Sequence, residues 1–237
     1  MKRYGASYKW QAMRARWRGY SLRQRGGRLW QHLKYFRRYT GVDKSASAFF
    51  GQPVAYLLDL FFYILDVFGV GELYETAAEW LKYSTRALND RERQIVHTLF
   101  GESIDVDRIR IDELAITARF AKAFYVGIYT INSYGKMKEG IFVHELIHIW
   151  QYTKLGSVYI PRALRAQRSV EGYNYGGIAQ LSLGDAEWMS YNYEQQGDIL
   201  ADYWRAKHGR PTRWNTELVA EDAYLPFVKK LKSNYEV

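Results

Sequence analysis

Residues 143–152 read VHELIHIWQY: two histidines and a glutamate inside a run that is otherwise almost wholly apolar. Burying polar groups costs free energy unless each finds a partner, so the trio must serve a common purpose. The surrounding segment KEGIFVHELIHIWQYTK, residues 138–154, is predicted to be a helix. On it, residues four apart lie about 40° apart when viewed down the axis, and His144 and His148 project side by side. Glu145 lies about 100° further round, within reach of a water on a shared cation without being a ligand itself. Ile141, Phe142, Leu146, Ile149 and Trp150 make the other faces apolar. The helix is therefore expected to be buried, with His144, Glu145 and His148 facing a cavity.

A catalytic zinc wants a third protein ligand and one open position. A third histidine six residues after the second is excluded, because Gln151 and Lys154 stand where that pattern needs glycine and histidine. The other common solution is a glutamate on a later helix, and YNYEQQGDILADYW, residues 191–204, offers Glu194. Asp198, one turn on, shares its face and is expected to accept the second ring proton of a metal-bound histidine. Asp202 is a weaker candidate for that role, and Glu187, Asp185 and Asp202 are alternative ligands. The bland reading, an ordinary solvated face, is opposed by Ile199, Leu200, Tyr203 and Trp204, which require this helix to pack. Zn2+ is the expected cofactor and Glu145 the expected general base. Tyr173, Tyr175 and Tyr191 are all candidates for stabilising an oxyanion, and the sequence does not choose among them.

Outside the site, PVAYLLDLFFYILDVFGV, residues 53–70, is the most apolar stretch. Asp59 and Asp66, seven apart, give it one polar edge, which points to a buried or interfacial helix rather than a membrane span. A helix is expected over 72–88, another after Asn89 ending at Gly101, then alternating RIRIDEL and a strand FYVGIYTIN, residues 124–132, followed by the turn-like NSYG. That strand is a candidate for aligning a peptide by edge pairing.

The HExxH motif and distant ExxxD resemble the gluzincin metallopeptidases. More narrowly, RERQIVHTLFGESIDVDRIRI, VHELIHIWQ and YNYEQQGDILADYW resemble the metallopeptidase domains found beside Vgr spike proteins of type VI secretion and in contractile-injection-system core proteins. The resemblance covers roughly residues 88–207. It implies peptidase chemistry on a peptide or protein substrate and a secretion-system partner. The fold it implies is α+β, a mainly helical zincin-like domain with a small β-sheet beside the HExxH helix.

Charge divides the chain unevenly. Twelve of its 34 basic residues fall in residues 1–42, which contain no acid, so the remaining 22 face 25 acidic residues. A basic aromatic arm, 1–42, is thus expected on a mildly acidic domain, 43–237. Within the arm, Trp10, Met13, Trp17 and Tyr20 are at helical spacing, as are Leu29, Leu33 and Phe36 after a break at Gly26-Gly27. Arginines interleaved with aromatics suit an anionic membrane or a nucleic acid, and make a partner-binding module the alternative to an enzyme. Arginines interrupt every early apolar run, so no secretory signal is expected, and the chain is expected to be cytoplasmic or exported by another route, with peripheral membrane association. With no cysteine, disulfides and thiolate metal sites are both excluded.

Overall fold

In the computed structural model the described residues are 6–34, 44–82, 84–121, 125–183, 187–215 and 217–232. The expected arm boundary at 42/43, Phe36 and the alternative ligand Asp185 lie outside them. The architecture is mainly helical with one small mixed sheet, as the α+β expectation holds. Two helices dominate the centre: α7 (Glu139–Leu155), which carries HELIH, and α10 (Tyr193–Lys207). Val143, Leu146, Ile147 and Ile149 of α7 and Ile199, Leu200 and Ala201 of α10 are all fully buried, so the two helices form the spine of the core.

Four short strands, β1 (Thr85–Ala87), β2 (Arg110–Asp112), β3 (Tyr125–Val126) and β4 (Thr130–Asn132), are ordered β1-β2-β4-β3. Only β2 and β4 run parallel. FYVGIYTIN is therefore two strands and not one: Gly127 turns the chain, donating its N–H to Thr130 O at 2.9 Å. The turn is held from outside, since the Glu75 carboxylate accepts Ile128 N–H at 2.8 Å and the Thr130 hydroxyl at 2.6 Å. This leaves β3 at the sheet edge.

The helix expected over 72–88 is shorter, α4 (Val70–Leu81), because Thr85–Ala87 pair with β2 instead; tertiary strand pairing outweighs the local helical period. Asn89 caps α5 (Asp90–Phe100) in a capping box with Glu92, and Gly101 ends it as expected. In the arm, α1 (Ala6–Trp17) and α2 (Leu22–Lys34) are separated at 18–21, and Gly26-Gly27 lie inside α2. Two helical glycines cost about 2 kcal/mol relative to alanine. Ion pairs on either side, from Arg25 and Arg28, offset that cost.

Those ion pairs belong to a layer with its polarity reversed. α3 (Lys44–Val67) and α4 turn their carboxylates inward, and all five, Asp59, Asp66, Glu72, Glu75 and Glu79, are buried. Each meets cations or donors from elsewhere in the chain. Arg162 and Arg165 of α8 (Tyr159–Gln167) hold Asp59 at 2.7 and 3.1 Å. Arg28 reaches Asp66 at 2.8 Å, while Arg25 grips Glu72 with both guanidinium nitrogens. Arg16 binds Glu79 at 2.8 Å. Arg16, Arg25 and Arg28 of the arm are thus bound into the body, whereas Trp10, Trp17 and Trp30 remain exposed. Gly69, at φ 65°, makes the tight turn between α3 and α4. Among the described residues no single helix is long and apolar enough to cross a membrane; Pro53–Val67 and Val70–Leu81 pass together by length and composition, but they meet at 65°.

Candidate metal centre

α7 and α10 face each other closely enough that a Cβ on Gly197 would lie 2.5 Å from His144 Cε1. This glycine, in mid-helix where an alanine would be intrinsically better, exists to let the imidazole through. On the α10 side, Asn192 caps the helix by accepting from Glu194 N and Gln195 N, and Gln195 returns a bond to Asn192 N–H. Glu194 therefore sits in a first turn, where the helix dipole favours a carboxylate.

Three donor atoms converge here. His144 Nε2 and His148 Nε2 are 3.2 Å apart, and Glu194 Oε2 lies 3.3 Å from the first and 3.5 Å from the second. His144, His148 and Glu194 form a buried group that can hold a metal ion. The remaining ring nitrogens are both engaged. Asp198 Oδ1 takes His144 Nδ1 at 2.9 Å, and Gln151 Oε1 takes His148 Nδ1 at 2.9 Å. Both partners are acceptors, so each Nδ1 carries the proton and each Nε2 presents a lone pair. Two lone pairs and a carboxylate aimed at one point repel unless a proton or a cation lies among them.

The acceptors are themselves fixed. Asp198 Oδ2 accepts Trp214 Nε1 at 2.6 Å and Arg213 at 3.0 Å, while Gln151 Nε2 donates to Tyr193 O and Gln196 Oε1. Burial alone lowers the His144 pKa, but the Asp198 and Glu194 carboxylates outweigh it and hold the ring up to about 10. Glu194 is held well below the usual carboxylate range: burial opposes this, and the two imidazoles prevail.

Glu145, buried on the same helix, lines a cavity of about 140 Å³ together with both histidines, Glu194, Tyr159 and Tyr173. Burial, reinforced by Glu194 and opposed by the imidazoles, raises its carboxyl above the ordinary range. Val126 and Gly127, at the end of the edge strand β3, form another wall. Of the three tyrosines, Tyr173 alone lines this cavity, its ring 5.7 Å from that of His144. Tyr175 instead donates to Asp202 and meets Tyr224, and Tyr191 packs on Phe227. Asp202 is drawn away from the histidines by Arg205 and the backbone of Arg213, and Glu187 pairs with Lys230 at the surface.

Three contributors escaped the sequence reading: Gln151, Gly197 and Tyr159. Gln151 lies three residues after His148, a spacing at which helical side chains meet, and so had a readable signal. Gly197 and Tyr159 had none, because their roles depend on how α10 and α8 pack against α7.

No protein-family profile matches the chain, and no solved structure matches it. It is similar to the type VI secretion system spike protein VgrG2b of Pseudomonas aeruginosa, at 27% identity over 139 residues. That match covers 52% of this chain and 13% of the relative, so the chain corresponds to a small part of that protein's length.

Proposed function

We propose that the chain is a zinc-dependent metallopeptidase associated with a secretion system. The observation that carries the metal is the convergence of three lone-pair atoms at 3.2, 3.3 and 3.5 Å. Tetrahedral zinc, with bonds of about 2.0–2.2 Å, places ligand atoms roughly 3.3–3.6 Å apart. Two imidazoles and a carboxylate are also the donor set of a catalytic site that keeps one position open. The similarity to VgrG2b supports the secretion-system association.

When bound, Zn2+ supplies Lewis-acid polarisation of a carbonyl and acidifies water. The chain's own residues do the rest. Glu145 takes the proton of the attacking water and returns it to the leaving amine. Asp198 and Gln151 hold the imidazoles in the tautomer that leaves Nε2 available. Gln167 Nε2 donates to the Tyr173 hydroxyl at 2.7 Å, leaving that hydroxyl's proton for the oxyanion of the tetrahedral intermediate. The free edge of β3 offers backbone groups to an extended peptide beside the cavity.

The test is Glu145→Gln, which leaves all three ligands in place. The variant should retain metal while peptide hydrolysis falls at least a hundredfold, in the range expected for removing a general base. Metal analysis and cleavage of a peptide library measure the two separately. Equal cleavage by both proteins would remove Glu145 from the mechanism, and metal-free wild-type protein that zinc cannot load would remove the cofactor.

A further inference from the structure

We propose that the outward layer of α1, α3 and α4 is a docking face for an anionic lipid bilayer, on which the folded chain lies without spanning it. Along α3 and in the turn just after it, Val54, Leu57, Phe61, Ile64 and Phe68 are exposed by 40 to 74%. Their spacing of three and four places them in one stripe. On α4, Val70, Leu73, Trp80 and Leu81 are likewise exposed. Exposed apolar residues on two successive helices exceed what singly scattered surface residues require.

The occupant follows from charge. Every acidic residue of the described parts of α1–α4 is one of the five buried carboxylates, so their exposed charge is all basic. Arg14 lies between the exposed Trp10 and Trp17, on the same face of α1. The Trp10 ring meets Trp80 of α4 edge-on at 5.9 Å, which joins that face to the apolar one. Arg18 and Arg23 are also exposed. Apolar side chains flanked by tryptophans and arginines suit the acyl boundary, the interfacial zone and anionic headgroups in turn. A second copy of this chain would instead set the same cations against each other.

Spanning is opposed by the other side of the same helices. The apolar run Pro53–Val67 is 15 residues, about 22 Å of helix, against a hydrocarbon core of about 30 Å. Its carboxylates are tied to arginines of α2 and α8, so only one face can enter lipid.

The experiment is vesicle co-sedimentation of the full chain, with phosphatidylcholine alone or mixed with phosphatidylglycerol, together with quenching of tryptophan emission by brominated acyl chains. Binding to phosphatidylglycerol vesicles, at least tenfold tighter than to phosphatidylcholine, with bromine quenching, is expected. The double variant Leu57→Glu, Phe61→Glu, whose side chains face water, should weaken it by tenfold or more with thermal melting unchanged. Arg14→Glu with Arg23→Glu should remove the phosphatidylglycerol preference and its salt sensitivity. Absent binding at low salt, or binding that both double variants leave intact, overturns the proposal. So does a wild-type dimer in light scattering that the Leu57, Phe61 variant makes monomeric, since a second copy would then cover the face.

Discussion

Gly197 is the residue on which the centre turns, because it lets a helix backbone pass against an imidazole. In Gly197→Ala the new methyl group meets His144 Cε1 at 2.5 Å, so the ring must rotate away from Asp198 or α10 must withdraw. Metal affinity should fall at least tenfold, read by competition with a chromogenic chelator. Alanine is the better helix former by about 1 kcal/mol, so weakened α10 helicity cannot account for that loss. The three side chains that converge are legible in the sequence: a four-residue spacing on an apolar helix, and a carboxylate pair on a second helix that has to pack. The acceptor on His148 is less so: Gln151 lies three residues on, but its amide is oriented by Tyr193 O and Gln196 Oε1 of α10, which the sequence alone does not place.

Caps separate the two ways in which an element can matter. Asn192 and Asn89 each begin a helix with a capping box, and each should lose about 1 kcal/mol of stability on replacement by alanine. Only Asn192→Ala should also weaken metal binding, because Glu194 sits in the turn it fixes; paired denaturant melts and metal titrations distinguish the two. α2 carries a pH dependence of its own. His32 stacks on Tyr56 of α3 with ring centroids 4.2 Å apart, and burial lowers its pKa, with a smaller opposing effect from the Tyr56 carbonyl. The unfolded chain then binds a proton near pH 6.5 that the folded chain refuses, so stability falls as pH drops through that value and is unaffected well above it. His32→Phe keeps the stacked ring and should flatten this slope in thermal melts. Elements bounded by local chemistry, such as α5 between Asn89 and Gly101, were readable in advance. β1 and the β3–β4 turn were not: the first exists because β2 is beside it, the second because Glu75 reaches across to hold it.

Across the whole molecule, the arm, the helical layer and the candidate metal centre are joined by charge. Glu75 binds the turn that carries Gly127 into the cavity wall, and its own backbone carbonyl accepts Arg16 at 3.0 Å. Arg25→Met should leave Glu72 buried without its main cation and cost about 3–5 kcal/mol, far more than an exposed arginine would. Urea unfolding of Arg25→Met beside Arg23→Met measures the difference; equal losses would mean that the Arg25 pair adds nothing.

The reversed polarity of α3 and α4 also bears on heat. Charged groups are hydrated less favourably as temperature rises, so the cost of keeping five carboxylates dry declines, while the return from burying hydrocarbon levels off. On warming, the ionic layer therefore gains ground on the aliphatic spine of α7 and α10. Amide exchange should record it as protection in Glu72–Glu79 that decays less steeply with temperature than protection in Val143–Ile149 of α7.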